Sequence, residues 1–237
     1  MNITIIGSGN VGTVLAQVLS NAGHNITALQ GRETFPTINK NTELVIVAIS
    51  DDALYHLKDR LKLNNQLVVH TAGSVSIDVL KDISTNYGVF YPLQSIRKEI
   101  NSQPELPFLI DANTEGNKLI LYNLAKTISG KVEYADDKQR LKLHLAAVIT
   151  NNFSNHLFAL TEEYCKKEKI DFNMLHPLLL ETVNRLQHNS AADLQTGPAA
   201  RNDQQTIQKQ RDMLSAYPRL LNLYNSLTES IINYRSL

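Results

Sequence analysis

Ile3-Thr4-Ile5-Ile6-Gly7-Ser8-Gly9-Asn10-Val11-Gly12 carries the chain from an apolar run into a glycine-spaced turn. Val14, Leu15, Val18 and Leu19 follow at helical spacing. The order is strand, glycine turn, helix, which is the context that gives a G-x-G-x-x-G pattern its meaning as a dinucleotide site. Gly7 permits the tight turn, Gly9 lets backbone approach a pyrophosphate, and Gly12 lets the helix pack close to the strand. Ser8, Asn10 and Val11 complete the segment, whose free N–H groups at the helix start would hold the phosphates.

The same unit repeats outward from this stretch. Strands are predicted at 3–6, 25–29, 44–49, 66–70, 89–91, 108–110 and 131–134, with helices at 11–22, 53–61, 77–86 and 114–129 between them. Near-continuous apolar runs such as Leu44-Val45-Ile46-Val47-Ala48-Ile49 suit parallel strands covered on both faces. The fold class is therefore α/β, a doubly wound Rossmann-like sheet. After about Ala135 the strand-like runs stop. Uninterrupted helix is predicted from Asp136 to about Lys169, then over 173–188, 204–216 and 218–235, with Gly197-Pro198 as a break. The chain thus reads as a dinucleotide-binding domain at 1–135 followed by an all-α C-terminal domain at 136–237.

Composition narrows the function. Lys plus Arg and Asp plus Glu both number 23, so no basic excess draws the chain to nucleic acid or to an anionic membrane. Hydrophobic residues at 43% supply a core. Cys165 is the only cysteine, which excludes an internal disulfide and fits a reducing compartment. It reads as the outer part of a helix, with no motif to make it a nucleophile. No leader pattern precedes the first strand and no apolar stretch approaches the ~20 residues that span a bilayer, so a cytoplasmic location is expected. The histidines show no metal-ligand spacing, and no metal is expected.

An NAD-preferring site places an acid at the end of the second strand. Here that end reads Ala28-Leu29-Gln30-Gly31-Arg32, without one. Gln30 and Arg32 stand where a 2′-phosphate would lie, and a charge-assisted hydrogen bond is worth roughly 1.5–3 kcal/mol. NADP(H) is therefore the expected cofactor. Further along the sheet edge, Ala48 and Ser50 are small enough for a ribose or nicotinamide to approach, while Asp51 or Asp52 would cap the next helix. His70 opens the polar turn Thr71-Ala72-Gly73-Ser74, and Tyr91 or Gln94 would line the crevice.

These segments, with Gly197-Pro198-Ala199-Ala200-Arg201-Asn202-Asp203, resemble a group of bacterial NADP oxidoreductases that pair a Rossmann-like domain with a helical C-terminal domain of unknown function. The group is similar in plan to pyrroline-5-carboxylate reductase and, more distantly, to 6-phosphogluconate dehydrogenase. The resemblance spans nearly the whole chain and implies an NADP-binding domain, a helical second domain and a homodimer, but no substrate. The group commonly has a histidine before Pro-Leu-Gln, and Tyr91 stands there instead.

On the long predicted helix, His144, Asn151 and Asn155 return to one face at ~100° per residue. Similar reductases carry a lysine and an asparagine there, facing the nicotinamide, whereas this chain has no lysine on the His144 face. His144 is then the candidate acid–base group and Asn151 the group that orients a carbonyl or imine; a helix–helix hydrogen-bond row is the alternative. Arg201 offers a planar, permanent cation to an anionic substrate. The expected activity is hydride transfer between NADP(H) and a small carbonyl, hydroxyl or imine compound. The alternative is a dinucleotide-binding sensor or partner-binding protein without turnover.

Overall fold

The computed structural model describes residues 1–30, 38–99 and 105–234, with the side chains of 28–30 left aside. It divides into two compact units, Met1–Asn151 and Asn152–Leu237. In the first, strands β1 (Asn2–Ile6), β2 (Asn25–Gln30), β3 (Leu44–Val47), β4 (Leu67–His70), β5 (Tyr87–Pro92), β6 (Phe108–Ala112) and β7 (Val132–Tyr134) form one sheet in the order β2-β1-β3-β4-β5-β6-β7. Neighbours are parallel except β5 and β6. This is the doubly wound α/β arrangement.

Alternation along the parallel strands builds two cores. Ile3, Ile5, Leu44, Ile46 and Val69 face Val14, Leu15 and Leu19 of α1 (Asn10–Asn21) and Leu121 and Leu124 of α3 (Glu115–Lys126). Ile6, Val45, Val47 and Val68 face the other side, against Leu54 of α2 (Asp51–Tyr55), Leu57, Leu61 and Leu80. Burial on both faces is why these strands read as continuous apolar runs rather than alternating ones.

The predicted helix at 77–86 is a single 3₁₀ turn, Ile77–Leu80. Its spacing of apolar residues is helical, but Ser84 donates to the Gln66 carbonyl at 2.7 Å and accepts from the Asn86 N–H at 3.2 Å. Short polar side chains here compete for the backbone and end the helix. The helix predicted at 53–61 is likewise divided, into α2 and a 3₁₀ turn at Leu57–Asp59. Its N-cap is Ser50, so Asp51 and Asp52 stand in the first turn rather than at the cap.

Every element after β7 is helical. A capping box starts α4 (Asp137–Ala147): the Asp136 carboxylate accepts the Gln139 N–H, and the Gln139 side chain accepts the Asp136 N–H. Such a cap stabilises by about 1 kcal/mol. The predicted unbroken helix is interrupted by a π segment, Val148–Phe153, before α5 (Ser154–Lys167). A π turn has more residues than an α turn. The i, i+7, i+11 relation that put His144, Asn151 and Asn155 on one face therefore does not carry across it.

The second unit holds α5, α6 (His176–Arg185), α7 (Gln204–Met213) and α8 (Pro218–Tyr234). Asp203 caps α7 through the Thr206 N–H at 3.1 Å. Cys165 is buried, not on the outer part of its helix as its charged neighbours suggested. Among the described residues no helix is long and apolar enough to cross a membrane.

Candidate functional site

The glycine turn is shaped by contacts that tolerate no side chain. Gly7 has φ +119°, and a β-carbon there would also overlap the Ala48 carbonyl. A β-carbon on Gly12 would overlap the Gly7 carbonyl oxygen. Gly9 differs, since nothing lies within 4 Å of the place its β-carbon would take. Gly9 precedes α1 with extended backbone, and no side chain caps the helix. The N–H groups of its first turn, from Asn10, Val11 and Gly12, are thus left for an anion.

In front of this turn lies a cavity of about 460 Å³. Gly7, Ser8 and Gly9 form one wall and Ala48, Ile49 and Ser50 another. Ala53, His56, Leu57 and Arg60 close it from the segment after β3. It lies at the carboxyl ends of β1 and β3, where doubly wound sheets bind ligands. Gln30 ends β2, its backbone paired with Ile6. Arg32 lies outside the described residues. His56 and Arg60 were not singled out in the sequence. Their signal is a pair of cationic-type side chains four apart, directly after a strand whose carboxyl end was.

A second polar group forms at the carboxyl ends of β4 and β5. Tyr91 Oη and His144 Nδ1 are 3.0 Å apart, with the rings edge to face. Both meet over Gly73, where a β-carbon would stand 2.6 Å from His144 Nδ1 and 2.9 Å from Tyr91 Cζ. Ser74 donates to Asp51 at 2.5 Å, joining the loops after β3 and β4. Burial raises the Tyr91 pKa, and the Asp51 carboxylate raises it further against the opposing influence of Arg140.

Helix α4 is tied to the same loop by Arg140, whose side chain is 1% exposed. Its Nη2 donates to the Val75 carbonyl at 2.5 Å and to Asp137 at 2.7 Å, while Nε and Nη1 find no partner. Asp137 also accepts the Ile77 N–H at 3.2 Å. His70 is fully buried. Its Nδ1 accepts the Ala72 N–H at 3.1 Å, which leaves the ring proton on Nε2, an atom without a hydrogen-bond partner. Burial pushes its pKa down to about 3, and the Arg140 charge adds to that. His70 therefore lies beneath the loop as a neutral ring and does not line the cavity at the glycine turn.

The structure thus brings His144 to Tyr91, Gly73 and the Asp51–Ser74 pair. Asn151 stands exposed in the π segment. Arg201 is exposed in the second unit, where its charge acts on Asp203; that carboxylate is held below its usual range chiefly by the Thr206 N–H. Among the described residues no group of three or more His, Cys, Asp or Glu side chains could hold a metal ion.

No curated protein matches the chain. A solved structure of a presumed NADP oxidoreductase from Bacteroides fragilis has 34% identity and a TM-score of 0.91, over 98% of each chain. A Thermotoga maritima protein has 20% identity and a TM-score of 0.70, over 99% of this chain and 100% of its own. The 1-pyrroline-5-carboxylate reductase of Streptococcus pyogenes shares the fold at 12% identity and a TM-score of 0.63, over 98% of each chain. The model of a domain of unknown function, DUF2520, matches residues 106–231. The match covers more than half of the sequence, and the chain belongs to the DUF2520 family.

Proposed function

We propose that this protein is an NADP(H)-dependent oxidoreductase acting on a small, anionic carbonyl, hydroxyl or imine compound. The observation that carries the reading is the glycine turn. Gly7 and Gly12 are packed shut, Gly9 opens onto the cavity, and the first turn of α1 carries no side-chain cap. That combination fits a pyrophosphate. The 34% identity with the presumed NADP oxidoreductase supports it along the whole chain. Ser8 and the N–H groups of Asn10 and Val11 would hold the phosphates, Ala48 and Ser50 the ribose side, and Gln30 and Arg32 the 2′-phosphate. When bound, the dinucleotide supplies or takes the hydride at its nicotinamide ring. The chain's own part is positioning and proton transfer. His144 is the acid–base group, Asn151 orients the reacting carbonyl or imine, and Arg201 takes a substrate carboxylate.

The working form is proposed to be a homodimer through the helical half. Helix α6 has no buried residue, and Leu178, Leu180 and Val183 are each more than 60% exposed. Apolar exposure of this kind on one helix suits a second copy. Light scattering of the purified protein would return twice the mass of the chain; a monomer at micromolar concentration rejects this part.

A fluorescence titration with NADPH and NADH tests the cofactor. Micromolar NADPH binding with much weaker NADH is expected. Binding of neither removes the oxidoreductase reading and leaves a glycine turn that serves packing alone.

A further inference from the structure

Tyr91 and His144 come from elements 53 residues apart and meet by their polar atoms. Three features hold them there. The first is Gly73, which gives both rings room: any side chain at 73 would press on His144 Nδ1 and on the phenol carbon that bears the hydroxyl. The second is Arg140, one helical turn before His144 on α4. Its bond to the Val75 carbonyl fixes that turn to the loop carrying Gly73. The third is the Asp51–Ser74 bond, which fixes the same loop from the β3 side. Both rings remain half-exposed, so a small molecule can reach them.

We propose that His144 acts as the acid–base group through Tyr91: the phenol protonates the substrate heteroatom, and His144 returns a proton to the phenol. The inference rests on the oxidoreductase reading above. The logic is set by hydrogen-bond direction. A neutral His144 accepts at Nδ1, and the phenolic proton then points at the ring. A protonated His144 donates from Nδ1 to Oη, and the phenolic O–H is free to face a substrate. In the reductive direction, the substrate carbon gains a hydride, with its electron pair, from a reduced nicotinamide dinucleotide. The π pair of its C=O or C=N bond moves onto oxygen or nitrogen, and that atom takes the proton of Tyr91. Tyr91 Oη takes the Nδ1 proton of His144 in the same step, so no free phenolate forms. The neutral imidazole then recovers a proton from solvent.

The surrounding charges suit this assignment. Burial and the Asp51 carboxylate keep the phenol protonated, and Arg140 opposes them. Tyr91 thus holds its proton until a heteroatom with developing negative charge takes it.

The test uses the full chain with NADPH and two probes, methylpyrroline as a cyclic imine and pyruvate as an oxo acid. Tyr91→Phe keeps the ring and its packing and removes only the hydroxyl. It should lower kcat by about a hundredfold or more, the scale of general acid catalysis, with NADPH binding and the melting temperature near wild type. His144→Gln should lower kcat similarly, again with NADPH binding near wild type. The double variant should lose little more than either single one, because the two act as a unit. Nitrogen-15 NMR of the histidine rings gives a readout without turnover: the His144 Nδ1 signal should move in Tyr91→Phe. Wild-type kcat in Tyr91→Phe, or a His144 ring indifferent to it, overturns this proposal alone. A wild-type protein that binds NADPH yet oxidises it with neither probe overturns the oxidoreductase reading, and the couple with it.

Discussion

Arg140 and Val75 are joined by a guanidinium-to-carbonyl bond that locks helix α4 onto the loop after β4, with the cation 1% exposed. Its carboxylate partner Asp137 is 38% exposed, so solvent screens the pair on one side only. Removing one member of such a pair costs more than removing the charge itself, because the remaining ion stays desolvated. Asp137→Asn should therefore destabilise the fold by about 1–3 kcal/mol. Arg140→Met, which withdraws the buried charge and keeps the aliphatic stem, should cost less. Urea denaturation of both variants decides it, and a larger loss in Arg140→Met would mean that the Val75 bond outweighs the ion pair.

His70 makes stability depend on pH in a defined direction. Its folded pKa is about 3 against an ordinary 6.5, so between these values the unfolded chain binds a proton that the folded one does not. Stability then rises with pH across the window and falls as the solution is acidified, by at most ~1.4 kcal/mol per pH unit. Asp137, whose pKa is lowered from 3.8, adds a loss in the same direction only further into acid. His24, also lowered, contributes in the same sense near the surface. Denaturant midpoints of wild type and His70→Asn between pH 6.5 and 4.5 separate these groups. The wild-type midpoint should fall more steeply, and parallel slopes would remove His70 from the account.

How much of this was legible depended on sequence distance. The strand–turn–helix order is local, and the glycines and the apolar runs report it within a few residues. The region around Ile77–Asn86 misleads because Ile77, Leu80 and Ile83 keep helical spacing while Ser84 diverts the backbone to Gln66. The π segment at Val148–Phe153 leaves no mark in periodicity, so the face shared by His144 and Asn151 could not be judged from spacing. Tyr91–His144 and Arg140–Val75 join residues 53 and 65 positions apart. No local pattern encodes such pairs; they follow from where β4, β5 and α4 come together.

Gly12 and Gly9, the last and the middle glycine of the turn, should separate folding from binding. Gly12→Ala forces a methyl group onto the Gly7 carbonyl and should destabilise by roughly 1–3 kcal/mol or more, as overpacking does. Gly9→Ala meets open space and has an ordinary φ of −72°, so the fold should tolerate it. Its methyl would still project toward the cavity, and NADPH affinity should drop about tenfold, or ~1.4 kcal/mol. Thermal melts and NADPH titrations of the two variants check the contrast. A Gly9→Ala protein with wild-type affinity would place the dinucleotide elsewhere.

His56 and Arg60 are expected to contribute to dinucleotide binding from the opposite wall. They line the same cavity as Ser8 and Ser50, at the carboxyl ends of β1 and β3. The phosphates of NADP(H) carry negative charge into that space, and Arg60 is a permanent cation. An Arg–phosphate hydrogen bond is worth roughly 1.5–3 kcal/mol, so Arg60→Ala should weaken NADPH about ten- to a hundredfold. Arg60→Lys should recover part of the loss through charge, but not the planar two-pronged contact. The comparison with NADH locates the contact. A loss confined to NADPH places Arg60 on the 2′-phosphate, in company with the end of β2. An equal loss for both cofactors places it on the pyrophosphate, opposite α1. Unchanged affinity for both would leave Arg60 as part of the wall without a share in binding, and would return the whole anionic charge of the cofactor to the α1 N-terminus and the residues after β2.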